Sequence, residues 1–262
     1  MTDTTSPPVL VSRNAGIVHL QFNRPDAFNA LNVPMAQHFV AALRELAADT
    51  SVRCIVLHGA GKAFVAGGDL PTLRADPVQG AKDLLTPLIE AANLLHTINA
   101  PVIAQVHGAA AGAGLSLMML CDFVIAAQST RMNLAYLKLG ASCDIGASWA
   151  LPRLVGLRHA LELALLSDDL SADDALRLGL VNRVVPAADL SETTQALAER
   201  IANGPTQAYG EVRRLMRTSW ERSLPEQLNA EADAFVRCAQ GPDLREGIEA
   251  FFSKRPPQFV GH

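Results

Sequence analysis

The chain has 262 residues, 49% of them hydrophobic and 18% charged, which is long and apolar enough for one large packed domain with an appendage. Its net charge of −4, from 22 basic and 26 acidic residues, leaves no global field to attract nucleic acid or anionic lipid. The longest apolar stretches are broken by His, Gly, Asp or Asn short of a membrane-spanning length, and Cys54, Cys121, Cys143 and Cys238 form neither a C-x-x-C pair nor a pattern with histidines, so a membrane span, a metal site and a disulfide framework are not expected.

In chain order, MTDTTSPP reads as a loose polar tail over residues 1–8, without the apolar segment of a targeting peptide. IVHLQF (17–22) alternates like a strand, and VPMAQHFVAALRELAAD (33–49) places Phe39, Val40, Leu43, Leu46 and Ala47 on one helical face. RCIVLHG (53–59) is the next strand and ends in the glycine-rich loop GKAFVAGGDL (61–70). A helix marked by Leu84, Leu85, Leu88, Ile89, Ala92 and Leu95 follows, then the buried strand PVIAQV (101–106), which runs into HGAAAGAG (107–114), and a short apolar helix from Gly114 to Leu120. CDFVIAA (121–127) returns as a strand. SADDALRLGL (171–180) carries Ser171 as N-cap, Asp174 at the reciprocal position and Gly179 as a stop. VNRVVP closes a mixed region over 9–187; over 188–262 strand signals cease, and helices are expected from 189 to 203 and after Pro205, Pro225 and Pro242.

Three loops carry candidate chemistry. HGAAAGAG after a strand offers free backbone N–H groups for an anion, or else lets helix and strand pack closely; Leu117 stands where a dinucleotide fingerprint needs its third glycine. GKAFVAGGDL repeats the arrangement, and two backbone N–H groups converging from separate loops commonly build an oxyanion hole. In KLGASCDIGASWALPRLVG (138–156), Asp144 is the only charge between Lys138 and Arg153. It reads either as the N-cap of a helix over 145–151, or as a carboxylate of raised pKa beside a pocket left open by Gly140, Ala141, Ser142, Gly146 and Ala147.

NRPDAFNAL (23–31), GKAFVAGGDL, PVIAQVHGAAAGAGLSL (101–117), the Asp144 loop with LPRLVG, LSADDALRLGLVNRVV (170–185) and REGIEAFFSKRPPQF (245–259) together resemble the crotonase (enoyl-CoA hydratase/isomerase) superfamily from Val9 to the C-terminus. The resemblance implies an α/β fold, a spiral of repeated ββα units with a helical C-terminal trimerisation region, assembled as a homotrimer or dimer of trimers. It implies a cytoplasmic enzyme acting on acyl-CoA, with CoA as part of the substrate and no prosthetic group, metal, nucleic acid or membrane partner. The family's oxyanion-hole N–H groups fall on Gly68 and Ala113. Backbone lining the CoA nucleotide falls on Ala27, Phe28 and Ala66, and C-terminal CoA contacts from a neighbouring subunit fall on Phe251 and Lys254.

Family hydratases activate water with two glutamates, whose places here hold Ser116 and Tyr136. Asp144 falls where several family isomerases keep their single acid, and the run A-A-G-A-G, K-L-G, Asp, W-x-L-P-R resembles those acting on ring-epoxidised phenylacetyl-CoA. Ser116, Tyr136, Leu115, Gly140 and Trp149 are expected around the substrate. The expectation is an isomerase with Asp144 as acid and base; the alternatives are a hydratase with atypical residues, an enzyme using Asp144 as nucleophile, and a non-catalytic acyl-CoA-binding subunit.

Overall fold

The computed structural model describes residues 6–262. Residues 1–5 of the expected tail lie outside that range, whereas 6–8 are tied down: Asn23 donates from Nδ2 to Ser6 Oγ and to the Pro7 carbonyl, 3.1 Å each, and from its backbone N–H to the Pro8 carbonyl at 2.8 Å. The next segment, VLVSRN, is strand β1 (Val9–Asn14), an exposed edge whose polar side chains hide the alternation a strand usually shows. It turns back antiparallel onto β2 (Ile17–Phe22).

Helix α1 (Val33–Ala48) starts where Asn32 accepts from the Met35 N–H at 3.0 Å, with Pro34 in the first turn. Met35, Phe39, Val40, Leu43 and Leu46 are buried, but Ala47, expected on that face, is exposed. After β3 (Cys54–Gly59), Asp69 caps the short α2 (Leu70–Ala75) and Asp76 caps α3 (Pro77–Thr97). On α3, Leu84, Leu88, Ala91 and Leu95 face inward, while Ile89, expected among them, is exposed. Strand β4 (Val102–Val106), the brief β5 (Ala109–Ala111), α4 (Ala113–Met119) and β6 (Phe123–Ala127) follow. Next come β7 (Arg131–Asn133), a single 3-10 turn (Tyr136–Leu139), α5 (Ala147–Leu166), β8 (Leu170–Ser171), α6 (Ala172–Leu178), closed by left-handed Gly179, and β9 (Arg183–Val185).

The main sheet runs β1-β2-β3-β4-β6-β9, parallel throughout except for β1; β5, β7 and β8 form a smaller second sheet. Strand periodicity sorts the central side chains. Val18, Leu20, Phe22, Ile55, Leu57, Val102 and Ala104 face α1 and α3, and Ile17, Cys54, Val56, Ile103 and Ile125 face the other way. Both faces are buried, which is why these strands read as nearly unbroken apolar runs.

The second face is covered by α7 (Leu190–Ala202), through Leu190, Leu197, Ala198 and Ile201. The first helix of the region expected to stand apart from residue 188 is therefore a layer of the sheet. Helices α8 (Thr206–Thr218), α9 (Leu224–Gln240) and α10 (Pro242–Phe252) continue outward. Helix α8 is fastened by Arg213, which donates to Asp122 at 2.8 Å, to the Leu95 carbonyl at 2.8 Å and to the Ile98 carbonyl, and by Arg217, which donates to Asp122 and the Leu120 carbonyl, 2.8 Å each. A buried guanidinium costs several kcal/mol unless so compensated. Among the described residues no helix is long and apolar enough to cross a membrane, and no cluster of His, Cys, Asp or Glu is arranged to hold a metal ion.

On the α7 side, His19 and His58 stand edge to face on neighbouring strands, ring centres 5.7 Å apart. Burial, with the fields of His19 and His107 added, pushes His58 down to about 4. Its neutral form is favoured in the folded state, so its contribution to stability is complete above the unfolded value of about 6.5 and is lost as pH falls towards 4. The melting temperature should therefore drop as pH is lowered across that window, and His58→Gln should flatten the slope; an identical slope in the variant would assign the loss to other groups.

Candidate active site

Two glycine-rich loops are built into one another. Phe64, fully buried, meets Phe22 edge to face with ring centres 6.0 Å apart, and Phe22 in turn meets Phe39 of α1 at 5.1 Å, which anchors the loop after β3. Beside Phe64, Val65 donates to the Ala109 carbonyl at 3.3 Å and accepts from the Ala111 N–H at 3.0 Å, so the loop runs parallel to β5 with Val65 opposite Ala110. Gly68 lies three residues further along this loop, where it pairs with Leu31, and Ala113 lies two residues past the end of β5. The approach is close: a Cβ on Gly114 would lie 2.0 Å from the Val65 carbonyl oxygen, and one on Gly108, where φ is +61°, 1.9 Å from that of Lys62. Ala113 opens α4, and among the described residues neither its N–H nor that of Gly68 donates to any oxygen of the chain.

One turn along α4, the buried Ser116 places Oγ 2.8 Å from the Tyr136 hydroxyl, which donates to Asp144 Oδ1 at 2.5 Å. Asp144, half-buried, is thereby linked to the helix that begins with Ala113. It does not cap α5. That helix starts two residues later with left-handed Gly146 at the N-cap and no side-chain bond there, and Asp144 contributes only its carbonyl, to the Ala147 N–H at 3.0 Å. The reason is the backbone after it: Ile145 and Gly146 take φ of +46° and +77°, which turn the carboxylate away from the helix axis towards Tyr136. A left-handed β-branched residue costs about 1–3 kcal/mol. Ala135, just before Tyr136, is left-handed too, at +44°. Burial pushes the Asp144 carboxyl above its ordinary value and the Tyr136 hydrogen bond opposes that in part, while burial and the neighbouring Asp144 push the Tyr136 phenol up.

The remaining expected site residues divide. Ala27, Phe28 and Ala66 come together, the Ala66 N–H donating to the Phe28 carbonyl at 3.1 Å. They are held by Asn29, which the sequence reading did not single out: fully buried and left-handed, it donates to the Ala60 and Ala63 carbonyls at 2.8 Å each and accepts from the Arg24 N–H at 2.9 Å. An asparagine two residues before a buried leucine, in a turn that begins with proline, is the available signal. Arg24 also reaches Asp69, the α2 cap, at 3.0 Å. Gly140 ends the Tyr136–Leu139 turn in open space.

Leu115 is a core residue, buried beside Met132, Leu134, Leu151 and Leu163. Trp149 departs from expectation more: its ring carries the Arg153 guanidinium at 4.2 Å, meets His96 at 5.6 Å and lines a cavity shared with Arg217 and Trp220, not with Asp144. Asp144 stands before α5 and is separated from it by left-handed Ile145 and Gly146, so helical spacing does not bring Trp149 to its side. Phe251 and Lys254 lie at the exposed end of α10, where no hydrogen bond joins them to Ala27, Phe28 or Ala66.

Residues 12–262 match the family model described as enoyl-CoA hydratase/isomerase. The chain belongs to this family. A 1,2-epoxyphenylacetyl-CoA isomerase of Escherichia coli K12 is 38% identical over 94% of this chain and 95% of its own length, and a 2,3-dehydroadipyl-CoA hydratase of the same organism is 34% identical over 97% and 98%. The crystal structure of an enoyl-CoA hydratase from Mycobacterium smegmatis superposes with a TM-score of 0.91 at 35% identity, covering 97% of this chain and 99% of that one. The fold is thus the crotonase fold with its C-terminal helices, and relatives of similar identity catalyse both isomerisation and hydration.

In this family member, the contact between the two loops depends on the missing side chain at Gly114. Gly114→Ala should destabilise the protein by about 1–3 kcal/mol through overpacking, or push the loops apart and lower turnover together with stability. Thermal melting with a parallel activity assay checks it; a variant that matches the parent in both would show that the loops are not held at contact distance.

Proposed function

We propose that the chain is an acyl-CoA isomerase that shifts a double bond, or opens a ring epoxide, through an enolate, with Asp144 as the single acid and base. The observation that carries this reading is a half-buried carboxylate that meets no cation among the described residues and is joined through Tyr136 and Ser116 to α4, whose first N–H, on Ala113, is uncommitted. Asp144 would remove a proton from one carbon of the acyl group and return it to another. The N–H groups of Gly68 and Ala113 would hold the thioester oxygen while its negative charge develops, each such donor being worth about 3–4 kcal/mol in the transition state. A base of raised pKa works above that pKa and loses activity as pH falls through it.

Hydration would also need a water held and activated against the acyl carbon, the task of the two glutamates in family hydratases. Ser116 and Tyr136, at the places where family hydratases carry glutamates, are engaged with each other and with Asp144, and neither is a base at neutral pH. CoA would be held along Ala27, Phe28 and Ala66. The exposed apolar residues Trp220, Leu224, Phe235, Phe251 and Phe252 support assembly through the C-terminal helices, with Phe251 and Lys254 completing a neighbour's CoA site. A monomeric mass at micromolar concentration with full activity would refute that assembly.

The decisive experiment follows 2-enoyl-, 3-enoyl- and aromatic epoxide-CoA in heavy water by proton NMR. Interconversion of double-bond isomers with little 3-hydroxyacyl-CoA is expected; rapid formation of the hydroxy compound would make the protein a hydratase. Asp144→Asn should lower turnover about 10²–10⁴-fold. It should fold as stably as the parent or more so, because the carboxylate caps nothing and its raised pKa means that ionisation opposes folding above that pKa. Turnover within a few-fold of the parent would remove Asp144 from the chemistry.

A further inference from the structure

We propose that Tyr136 is a positioning residue for Asp144: with Ser116 behind it, its hydroxyl occupies Oδ1 and leaves Oδ2 as the atom that takes and returns the substrate proton. This rests on the reading of Asp144 as acid and base. The direction of the chain follows from valence. An ionised carboxylate only accepts, so the single phenolic proton points to Oδ1 and the phenolic oxygen must accept from Ser116 Oγ. Ser116 has one other acceptor in reach, the Gly112 carbonyl, at a longer 3.3 Å. Oδ2 has no partner among the described residues, so the two oxygens of one carboxylate are inequivalent before any substrate arrives.

The backbone fixes both ends of the pair. Left-handed Ala135 precedes Tyr136, left-handed Ile145 follows Asp144, and Ser116 lies in the body of α4. The phenol, pushed up by burial, stays protonated and is a donor throughout the working range. Charge around the pair is sparse: α4 carries no charged residue, Lys138 on the Tyr136 turn is exposed, Cys143 adjoins Asp144, and Arg153 of α5 is committed to the Trp149 carbonyl and ring, which His96 of α3 also meets. The Tyr136 hydroxyl is accordingly the main counterweight to burial for the ionised form of Asp144.

The test is the pH profile of 3-enoyl-CoA isomerisation, from about pH 5 to 9, in the parent, Tyr136→Phe, Ser116→Ala and Asp144→Asn proteins. Phenylalanine keeps the ring and removes the donor, so the acidic limb should move to higher pH. At a pH below the parent's limb kcat/KM should fall on the order of tenfold, with a smaller loss on the plateau and KM little changed. Ser116→Ala should move the limb the same way by less, since Tyr136 keeps its bond to Oδ1 and loses its anchor. A limb at the parent's pH in Tyr136→Phe overturns the proposal, because lost packing alone lowers rate or stability without moving a titration. Should that variant not fold, Ser116→Ala decides: an upward shift supports the role and an unmoved limb overturns it. Asp144→Asn separates the two readings. Full turnover there sinks the acid–base assignment itself, whereas lost turnover beside unmoved limbs sinks only the role of Tyr136.

Discussion

The site depends on one backbone contact, the parallel pairing of Val65 with Ala109 and Ala111 at the carboxyl ends of two parallel strands. It sets the loop after β3 level with the entry to α4, and it tolerates no side chain where Gly108 and Gly114 meet the opposite carbonyls. The two readings open for HGAAAGAG, close packing and a free N–H site, are therefore consequences of one geometry. Small residues let the backbones touch, and in these same two loops the Gly68 and Ala113 N–H groups bond to no oxygen among the described residues. Phe64 carries the load from below, set against Phe22 and through it Phe39, so the site rests on a fully buried aromatic cluster of the core.

Charge is handled in two distinct ways. Asp122 is shared between Arg213 and Arg217, buried Glu211 is paired with Arg237 at 2.8 Å and Arg214 at 3.0 Å, and Asp69 is bonded to Arg24. These carboxylates are neutralised in place and hold elements together. Among the described residues Asp144 has only a phenol. An ionised group under burial without a cation opposes folding at neutral pH, and the left-handed Ile145 beside it adds backbone strain. Both costs fall on the same two residues, which is the pattern of a position shaped by something other than stability.

Much of the fold was legible because its signals are local. The buried strands, the α1 and α3 faces, the Ser171 and Gly179 caps of α6 and the prolines opening the last helices depend on neighbours in sequence. Strand β1 escaped because an edge strand need not alternate, and β7 and β8 because strands of two or three residues carry no period. Ala47 and Ile89 sit at the rim of their apolar stripes, where packing and not pattern decides burial. The place of α7 on the sheet was illegible for another reason: its apolar face is plain in the sequence, its partner is not. At the site, Asp144 stood out by isolation, yet its cap reading failed on φ values at Ile145 and Gly146 that no residue type announces for isoleucine. Trp149 was misplaced with its helix, whose start was set two residues early.

The number of proton-carrying groups links this geometry to the kind of reaction. Adding water across a double bond takes a proton from water and gives one to carbon, so besides a proton carrier the site must hold a water against the acyl carbon. Moving a double bond takes a proton from one carbon and gives it to another, and a single carboxylate ends the cycle in the state in which it began. The fully buried Ser116 gives its one proton to Tyr136 and Tyr136 gives its own to Asp144, so the chain ends inside the protein and offers Asp144 no group that titrates near neutrality. A carboxylate closed off on one oxygen and open on the other suits a proton that leaves the substrate and returns to it.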